Sequence, residues 1–339
     1  MKAPDRILMA HGAGGRMTQR LVRDVFLPAL ANPFLEGLSD AAVLPELPPG
    51  RPAFTTDGFV VDPPVFPGGD LGYLSVCGTV NDLSVAGARP LWLAWALILE
   101  EGADAGFVRL CVEGAARAAK EAGVSIVAGD TKVVPKGKGD GLYVATSGLG
   151  VVPPGREASD GRIAAGDVLL VSGPVGDHGA TIMACRHGLS GTDLRSDCAP
   201  LASLAEALYG LGPAVKVLHD PTRGGVLTTC HEVAGRTGLR IVLDEASFPV
   251  RDEVRAVCSL LGLSAWSLPC EGRALAWVAG DSAEAALARL RSHPQGAGAE
   301  IIGRTEAARP GAAPVAIRTL TGEERPLDLL SGAELPRIC

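Results

Sequence analysis

The chain has 339 residues, 47% of them hydrophobic, and a formal net charge of -7. That length allows two domains with a sizeable core, and the acidic balance excludes general nucleic-acid binding, which needs a basic footprint. An anionic nucleotide remains admissible, because backbone N–H groups and a metal supply positive field.

In chain order, His11-Gly12-Ala13-Gly14-Gly15 comes first, a backbone free to curl its N–H groups around an anion. Met17, Leu21, Val22, Val25, Phe26 and Leu30 then repeat at helical spacing, with Pro28 predicting a kink or an early end. The Pro-rich stretch 45–52 is a loop. Ala53 to Thr56 reads as a strand ending at Asp57-Gly58 and resuming at Phe59, and 63–69 as another loop. Leu71 to Ala88 suits a close-packed helix carrying Asn81 and Asp82 to a site. Leu91 to Leu99 reads as a central strand; it is the longest apolar stretch and too short to span a bilayer. A helix from Phe107 to about Ala122 follows. A short strand, 124–128, delivers Gly129-Asp130-Thr131-Lys132, and 142–149 is again a strand.

Pro153-Pro154-Gly155 and the polar stretch to Gly166 mark a domain junction. Beyond it, strands are expected at 168–172, 241–243, 274–279, 301–302 and 315–317. Helices are expected after Gly173–Gly179, at 201–208, from Gly225 to about Gly235, at 250–261 and at 283–291, the last capped by Ser282. These elements give two α/β or α+β domains.

Five aspartates, Asp40, Asp57, Asp82, Asp130 and Asp220, sit beside Gly, Ala, Asn or Pro, mostly at the ends of apolar elements. Singly they are ordinary turn and cap residues; together they point to Mg²⁺ bridging a nucleotide triphosphate. Lys132 reads as a phosphate point charge. Arg223 reads either as a phosphate ligand or as a tie for Asp220. His178 is either catalytic or structural, and Glu271 a general base or a surface turn residue. There is no Gly-x-x-x-x-Gly-Lys-[Ser/Thr], so the chain is not a P-loop enzyme. Eight cysteines occur without any Cys-x-x-Cys, which reads as free thiols in a reducing compartment. One of them, Cys339, is the last residue. The stretch from Ser331, with Gly332 and Pro336, reaches roughly 26 Å when extended, enough to deliver a thiol to a distant site. No signal core follows Met1, so a cytoplasmic protein without membrane or nucleic-acid partners is expected.

The whole chain resembles the hydrogenase-maturation carbamoyl dehydratases of the aminoimidazole ribonucleotide synthetase-like superfamily. The resemblance rests on His11 to Gly15, Thr56-Asp57, Pro67-Gly68-Gly69, Cys77-Gly78-Thr79 with Asn81-Asp82, and Gly129 to Val134. It continues through Gly176 to Thr181, Thr222 to Gly225 and the terminal Pro336-Arg337-Ile338-Cys339. It implies a two-domain α+β / α/β fold: a glycine loop and helix (1–36), an ATP- and metal-binding domain whose sheet pairs in a homodimer (37–155), a C-terminal α/β domain (156–330) and a mobile tail (331–339). It implies ATP and Mg²⁺ as cofactors. Cys339, Glu271 and Lys132 would be catalytic, and Gly12, Gly14, Gly15, Asp57, Thr131, Lys132 and Arg223 would bind nucleotide. Asp40, Asp57, Asp82, Asp130 and Asp220 would hold metal. The implied reaction dehydrates an S-carbamoyl group on Cys339 to a thiocyanate. A carbamoyltransferase would be the donor and an iron-carrying maturation scaffold the acceptor. Two departures stand out: Cys270 replaces the family's asparagine before Glu271, and His219 replaces a longer basic residue. The competing readings are another superfamily kinase or synthetase, and a non-catalytic scaffold with a docking tail.

Overall fold

The computed structural model describes residues 5–189, 193–329 and 337–339. Gly15 opens α1 (Arg16–Leu21), which widens into a π-turn over Val22–Phe26 and continues as α2 (Leu27–Leu30). The disturbance expected at Pro28 is taken up just upstream. Leu27 N–H reaches back to Val22, so Pro28, which has no N–H to offer, enters a ladder already shifted by one residue.

β1 (Arg51–Phe59) runs unbroken through Asp57-Gly58, where the sequence suggested a break. Antiparallel pairing to a later strand, with Asp57 opposite Thr146, keeps that backbone extended. The expected loop at 63–69 holds β2 (Val65–Phe66) and β3 (Gly69–Asp70), a minimal hairpin. Asp70 then caps α3 (Leu71–Val85), accepting from Tyr73 N–H at 2.9 Å. α3 is buried on nearly every side. β4 (Arg89–Glu100) and β5 (Ser125–Val134) are parallel, joined across α4 (Ala105–Ala122). A Cβ at Gly72 would lie 1.8 Å from Cys111 O, so only glycine lets α3 and α4 pack this closely. With β6 (Leu142–Val152) the strands form one sheet in the order β1-β6-β4-β5.

β5 is longer than the expected strand at 124–128. Asp130, Thr131 and Lys132 are therefore strand residues and not a turn. Strand parity decides where they point. Trp95, Leu97 and Leu99 face inward, with Trp95 Nε1–H donating to Ser75 Oγ of α3 at 2.8 Å. Asp130 and Lys132 pair with the outward positions Ala96 and Ile98. On β1, Thr55 donates to Asp82 of α3, so Thr55, Asp57 and Phe59 belong to the inner face.

The second unit carries β7 (Val168–Val171), α5 (Asp177–Arg186), α6 (Ala202–Tyr209), β8 (Val215–His219), α7 (Gly225–Thr237), β9 (Arg240–Asp244), α8 (Asp252–Leu261), β10 (Leu275–Val278), α9 (Ala283–Arg291), β11 (Glu300–Glu306), β12 (Val315–Arg318) and β13 (Glu324–Pro326). Its mixed sheet runs β13-β12-β9-β11-β7-β10-β8, with β12 and β9 parallel. Two of these strands were not expected. β8 is too short to show a period, and β13 is an exposed edge of charged residues and proline. Ser282 does occupy the N-cap position of α9, but its hydroxyl bonds Asp281 and makes no cap. His219 bonds Asp160 at 2.7 Å beside Arg236 and so ties 160–162 to the sheet edge.

Asn81 staples the two units together. Its amide donates to Ala199 O and Glu271 O, both at 3.1 Å, and its oxygen accepts from Leu201 N–H at 2.7 Å. No described helix is long and apolar enough to cross a membrane.

Candidate active site

A cavity of about 480 Å³ opens where β1, α3, the 220–225 turn and the chain terminus meet. α3 brings Asp82, β1 brings Asp57, and the turn before α7 brings Asp220 and Arg223. The segment before β10 brings Glu271, and the C-terminus brings Ile338 and Cys339. The turn is shaped by Gly224 and Gly225, both at positive φ.

Negative charge is crowded here. Burial, and then the Asp82 carboxylate, push Asp57 up to about 6. Burial, and then Asp82, push Asp220 up to about 7. Burial, followed by Asp220 and Asp197, lifts Glu271 well above the usual carboxylate range. Glu271 is 2% exposed, and its Oε1 is buried without a hydrogen-bond partner. Arg223 partly offsets the charge on Asp57 and Asp82.

Glu271 is buried and firmly held, which removes the surface-turn alternative. Asp197 is the brace: its carboxylate accepts from Glu271 N–H at 3.3 Å and Gly272 N–H at 3.2 Å. A Cβ at Gly272 would lie 1.8 Å from Asp197 O, so the Gly in Glu271-Gly272 permits that approach. Asp197 also accepts from His178 N–H at 3.1 Å. Nothing in the sequence around Asp197 marked it, because its role is defined by backbone groups distant in the chain. Cys270 is fully buried, and its sulfur accepts from Gly176 N–H at 3.2 Å. It thus faces away into the 176 turn and adds no donor to the cavity.

The terminus is seated at both of its described ends. Val60 N–H donates to Cys339 O at 3.2 Å, and Asp62 N–H to Arg337 O at 3.1 Å. The Arg337 side chain donates to Val60 O at 3.1 Å and pairs with Asp140. Arg337 itself has a φ of 53°, a left-handed conformation that non-glycine residues adopt at some cost. Ile338 is 3% exposed and joins the core of the first unit. Ser331, Gly332 and Pro336 lie outside the described residues. Burial, and then Glu271, push the Cys339 thiol up to about 12. The seated sulfur is thus held in its neutral thiol form, a weaker nucleophile than the thiolate.

The other expected site residues lie elsewhere in the chain. Asp40 is an exposed bend residue away from the cavity. Asp130 is held low chiefly by Lys132, with which it pairs at 2.9 Å on the outward face of β5. Gly12 packs on Val133 of β5, where a Cβ would come within 2.7 Å of its nitrogen. Gly14, at φ 79°, donates its N–H to Thr18, and Gly15 precedes α1. Thr131 and Asp130 line a second, mainly apolar cavity of about 230 Å³ under α1 and α2. One chain thus divides the expected nucleotide site into two parts: Asp57, Asp82, Asp220, Arg223 and Glu271 in one, and Gly12 to Gly15, Asp130, Thr131 and Lys132 in the other.

Among the described residues no three His, Cys, Asp or Glu side chains stand close enough to ligate one ion. A preformed carboxylate cage is thereby excluded for those residues. The donor set still fits Mg²⁺, which takes one or two carboxylates and completes its shell with phosphate oxygens and water.

The AIR synthase related N-terminal domain profile matches residues 38–152, and the corresponding C-terminal profile residues 164–315. The chain is 47% identical over 340 residues to the carbamoyl dehydratase HypE of Rhodobacter capsulatus, covering 99% of this chain and 98% of that protein. It is 45% identical to the Escherichia coli protein of the same name, covering 99% and 100%. The chain belongs to the hydrogenase-maturation carbamoyl dehydratase family. A solved relative, HypE in complex with ATP, superposes with a TM-score of 0.93 at 43% identity, covering 98% of this chain and 99% of that one. A HypE–HypF complex matches with a TM-score of 0.80 at 43% identity, covering 91% and 99%. The two-domain fold is that of the family.

Proposed function

We propose that the chain is an ATP-dependent carbamoyl dehydratase that converts an S-carbamoyl group on its own Cys339 to a thiocyanate. One observation carries this reading above all: the terminal thiol shares a carboxylate-lined cavity with Glu271, whose Oε1 is buried and unpartnered. The relatives named carbamoyl dehydratase and the ATP-bound relative support it.

The chemistry balances with the groups present. The carboxamide oxygen of the S-carbamoyl group attacks the γ-phosphoryl group of ATP and ADP leaves. The nitrogen then gives up its two protons as the C–O bond breaks with phosphate, leaving S–C≡N. Glu271 Oε1 accepts one nitrogen proton and the departing phosphate carries away the other. Asp57, Asp82 and Asp220, singly or in pairs, would hold Mg²⁺ together with phosphate oxygens, and the metal would neutralise charge on the phosphates. Arg223 adds a cation beside them, and the seat of buried Ile338 and half-buried Cys339 limits water at the phosphorylated carbon. The carbamoyl donor is a carbamoyltransferase, a reading supported by the solved complex of a relative with HypF. The cyano group then passes to iron on a maturation scaffold. The test is intact mass after incubation with the donor enzyme, with and without ATP. A carbamoylated chain that loses one water only with ATP is expected, and a chain that never loses it overturns the reading.

Asp82→Asn is expected to weaken Mg-ATP binding by roughly 10- to 100-fold, the scale of one lost charge-assisted contact, while the fold persists. Calorimetry giving wild-type affinity would remove Asp82 from the site.

The chain is also proposed to act as a homodimer through the outward face of the first sheet. That face carries Ala94, Ala96, Ile98 and Phe54, the last 71% exposed. It is the face on which Asp130 and Lys132 stand, so a second copy offers the way to bring them to a nucleotide held by Asp57 and Asp82. Sedimentation at micromolar concentration is expected to give a dimer, and Ala96→Arg a monomer. A wild-type monomer would leave Lys132 without a part in the reaction.

A further inference from the structure

His178 lies on α5, fully buried, and does not line the cavity. Its Nε2 is 2.8 Å from the Ile338 carbonyl oxygen, and its Nδ1 is 2.8 Å from Ser196 Oγ. A carbonyl oxygen only accepts, so Nε2 carries the proton. Burial holds the ring neutral, which leaves Nδ1 to accept from the Ser196 hydroxyl. Ser196 Oγ accepts in turn from Cys198 N–H at 3.0 Å, which aims its proton at the ring. Phe66 packs against the imidazole at 85°, centroids 5.4 Å apart, and Asp197 fixes the backbone of His178. The tautomer, tilt and position of this ring are therefore all set by neighbours, and its one free donor is spent on the residue before Cys339.

We propose that His178 is the positioning residue that seats the C-terminal thiol, its Nε2–H holding the Ile338 carbonyl so that Ile338 fills the core and Cys339 faces Glu271. The other tail contacts come from exposed or half-buried groups at Arg337 and from Val60 N–H at the chain end. The imidazole bond is the buried one, and its loss strands the Ile338 carbonyl in an apolar setting, where an unpaired group costs more than a surface bond. Asp197 grips both His178 N–H and Glu271 N–H, so seat and base share one rigid support.

The inference rests on the geometry of residues 337–339 and is independent of the carbamoyl reading; its test uses no donor enzyme and no ATP turnover. The full chain is treated with iodoacetamide at one fixed, mildly alkaline pH, and alkylation is followed by peptide mass at each cysteine. His178→Ala is expected to raise the Cys339 rate by roughly tenfold. Cys77, Cys198 and Cys230 should keep their wild-type protection. His178→Gln, which retains an N–H donor at that reach, should return the rate toward wild type. Ser196→Ala should raise it as well, by freeing the ring to adopt the tautomer that cannot donate from Nε2. Ser196→Ala removes only a hydroxyl, so it also serves should His178→Ala fail to fold. A Cys339 rate unchanged in folded His178→Ala, or unchanged in Ser196→Ala, overturns the proposal. So does a rise shared equally by the buried cysteines, because that reports general loosening of the fold.

Discussion

Cys339→Ala should yield no thiocyanate while still binding ATP, and a short Gly-Ser extension after Cys339 should come close to the same loss by a different route. Alanine has no sulfur to carry the group, so that variant should never gain the carbamoyl mass. The extended chain keeps its thiol and is expected to be carbamoylated outside the cavity. It should then stall. In the seated tail Cys339 O accepts from Val60 N–H, and the residue points into the cavity lined by Asp57, Asp82 and Glu271. Two added residues would have to occupy the volume that the nucleotide phosphates need. Intact mass separates the free, carbamoylated and cyanated chains. An extended chain that reaches the cyanated mass at the wild-type rate would show that the tail need not seat as it does here. The seat also carries a pH signature. A released cysteine titrates at about 8.5, whereas burial, and then Glu271, push the seated thiol up to about 12. The seated form thus binds its proton more tightly. Its thiol-linked stability is fully present below about pH 8.5 and is lost as pH rises toward 12. Alkylation of Cys339 should accelerate across that window beyond the gain from thiolate formation alone.

What the sequence made legible follows from the range of each interaction. The helices at α3 and α4 and the strand at β4 were readable because burial imposes a period or a continuous apolar run. The inner carboxylates Asp57, Asp82 and Asp220 were readable as part of a group because each sits beside Gly, Asn or Pro on or next to an apolar element, although Asp57 proved to be a strand residue and not a turn residue. Whether they share a space with Asp130 and Lys132 was not readable. That depends on how far β5 extends, and one residue of strand parity sends a side chain to the opposite face of the sheet. His178 was singled out by its glycine-rich surroundings, but its task depends on Ile338, 160 positions away. Asp197 had no local mark at all, since its three hydrogen-bond donors are backbone N–H groups from two other segments and its ion-pair partner Arg273 is equally distant in the chain. Asn81 was placed correctly on its helix, but the sequence could not show that it would face the Glu271 carbonyl across the domain junction.

Glu271→Gln should lower the rate of dehydration by about 10² to 10⁴, the usual span for losing a positioned base, and should leave carbamoylation and Mg-ATP binding near wild type. The substitution is nearly isosteric and touches none of the bonds that place the residue, because Asp197 and Asn81 hold its backbone and not its carboxylate. Gln also reproduces the uncharged form that burial favours at this position. Burial, with Asp220 and Asp197 next, raises the Glu271 carboxyl well above its ordinary range, so the residue keeps its proton to higher pH than an ordinary glutamate and becomes a base only above that range. A group raised in this way becomes competent as pH climbs through its shifted value. Dehydration by the wild type should therefore keep increasing above about pH 5, where an ordinary glutamate would already be ionised. That climb should disappear in Glu271→Gln, whose residual rate has no carboxyl to titrate. The two readouts separate the possible roles. A residue that merely supported the cavity would, on substitution, change ATP affinity and leave the shape of the pH profile alone. A base loses the profile and keeps the affinity. If Glu271→Gln converts the carbamoylated chain to the cyanated mass at the wild-type rate, the proton goes elsewhere, and the buried, unpartnered Oε1 is a feature of the packing and not of the reaction.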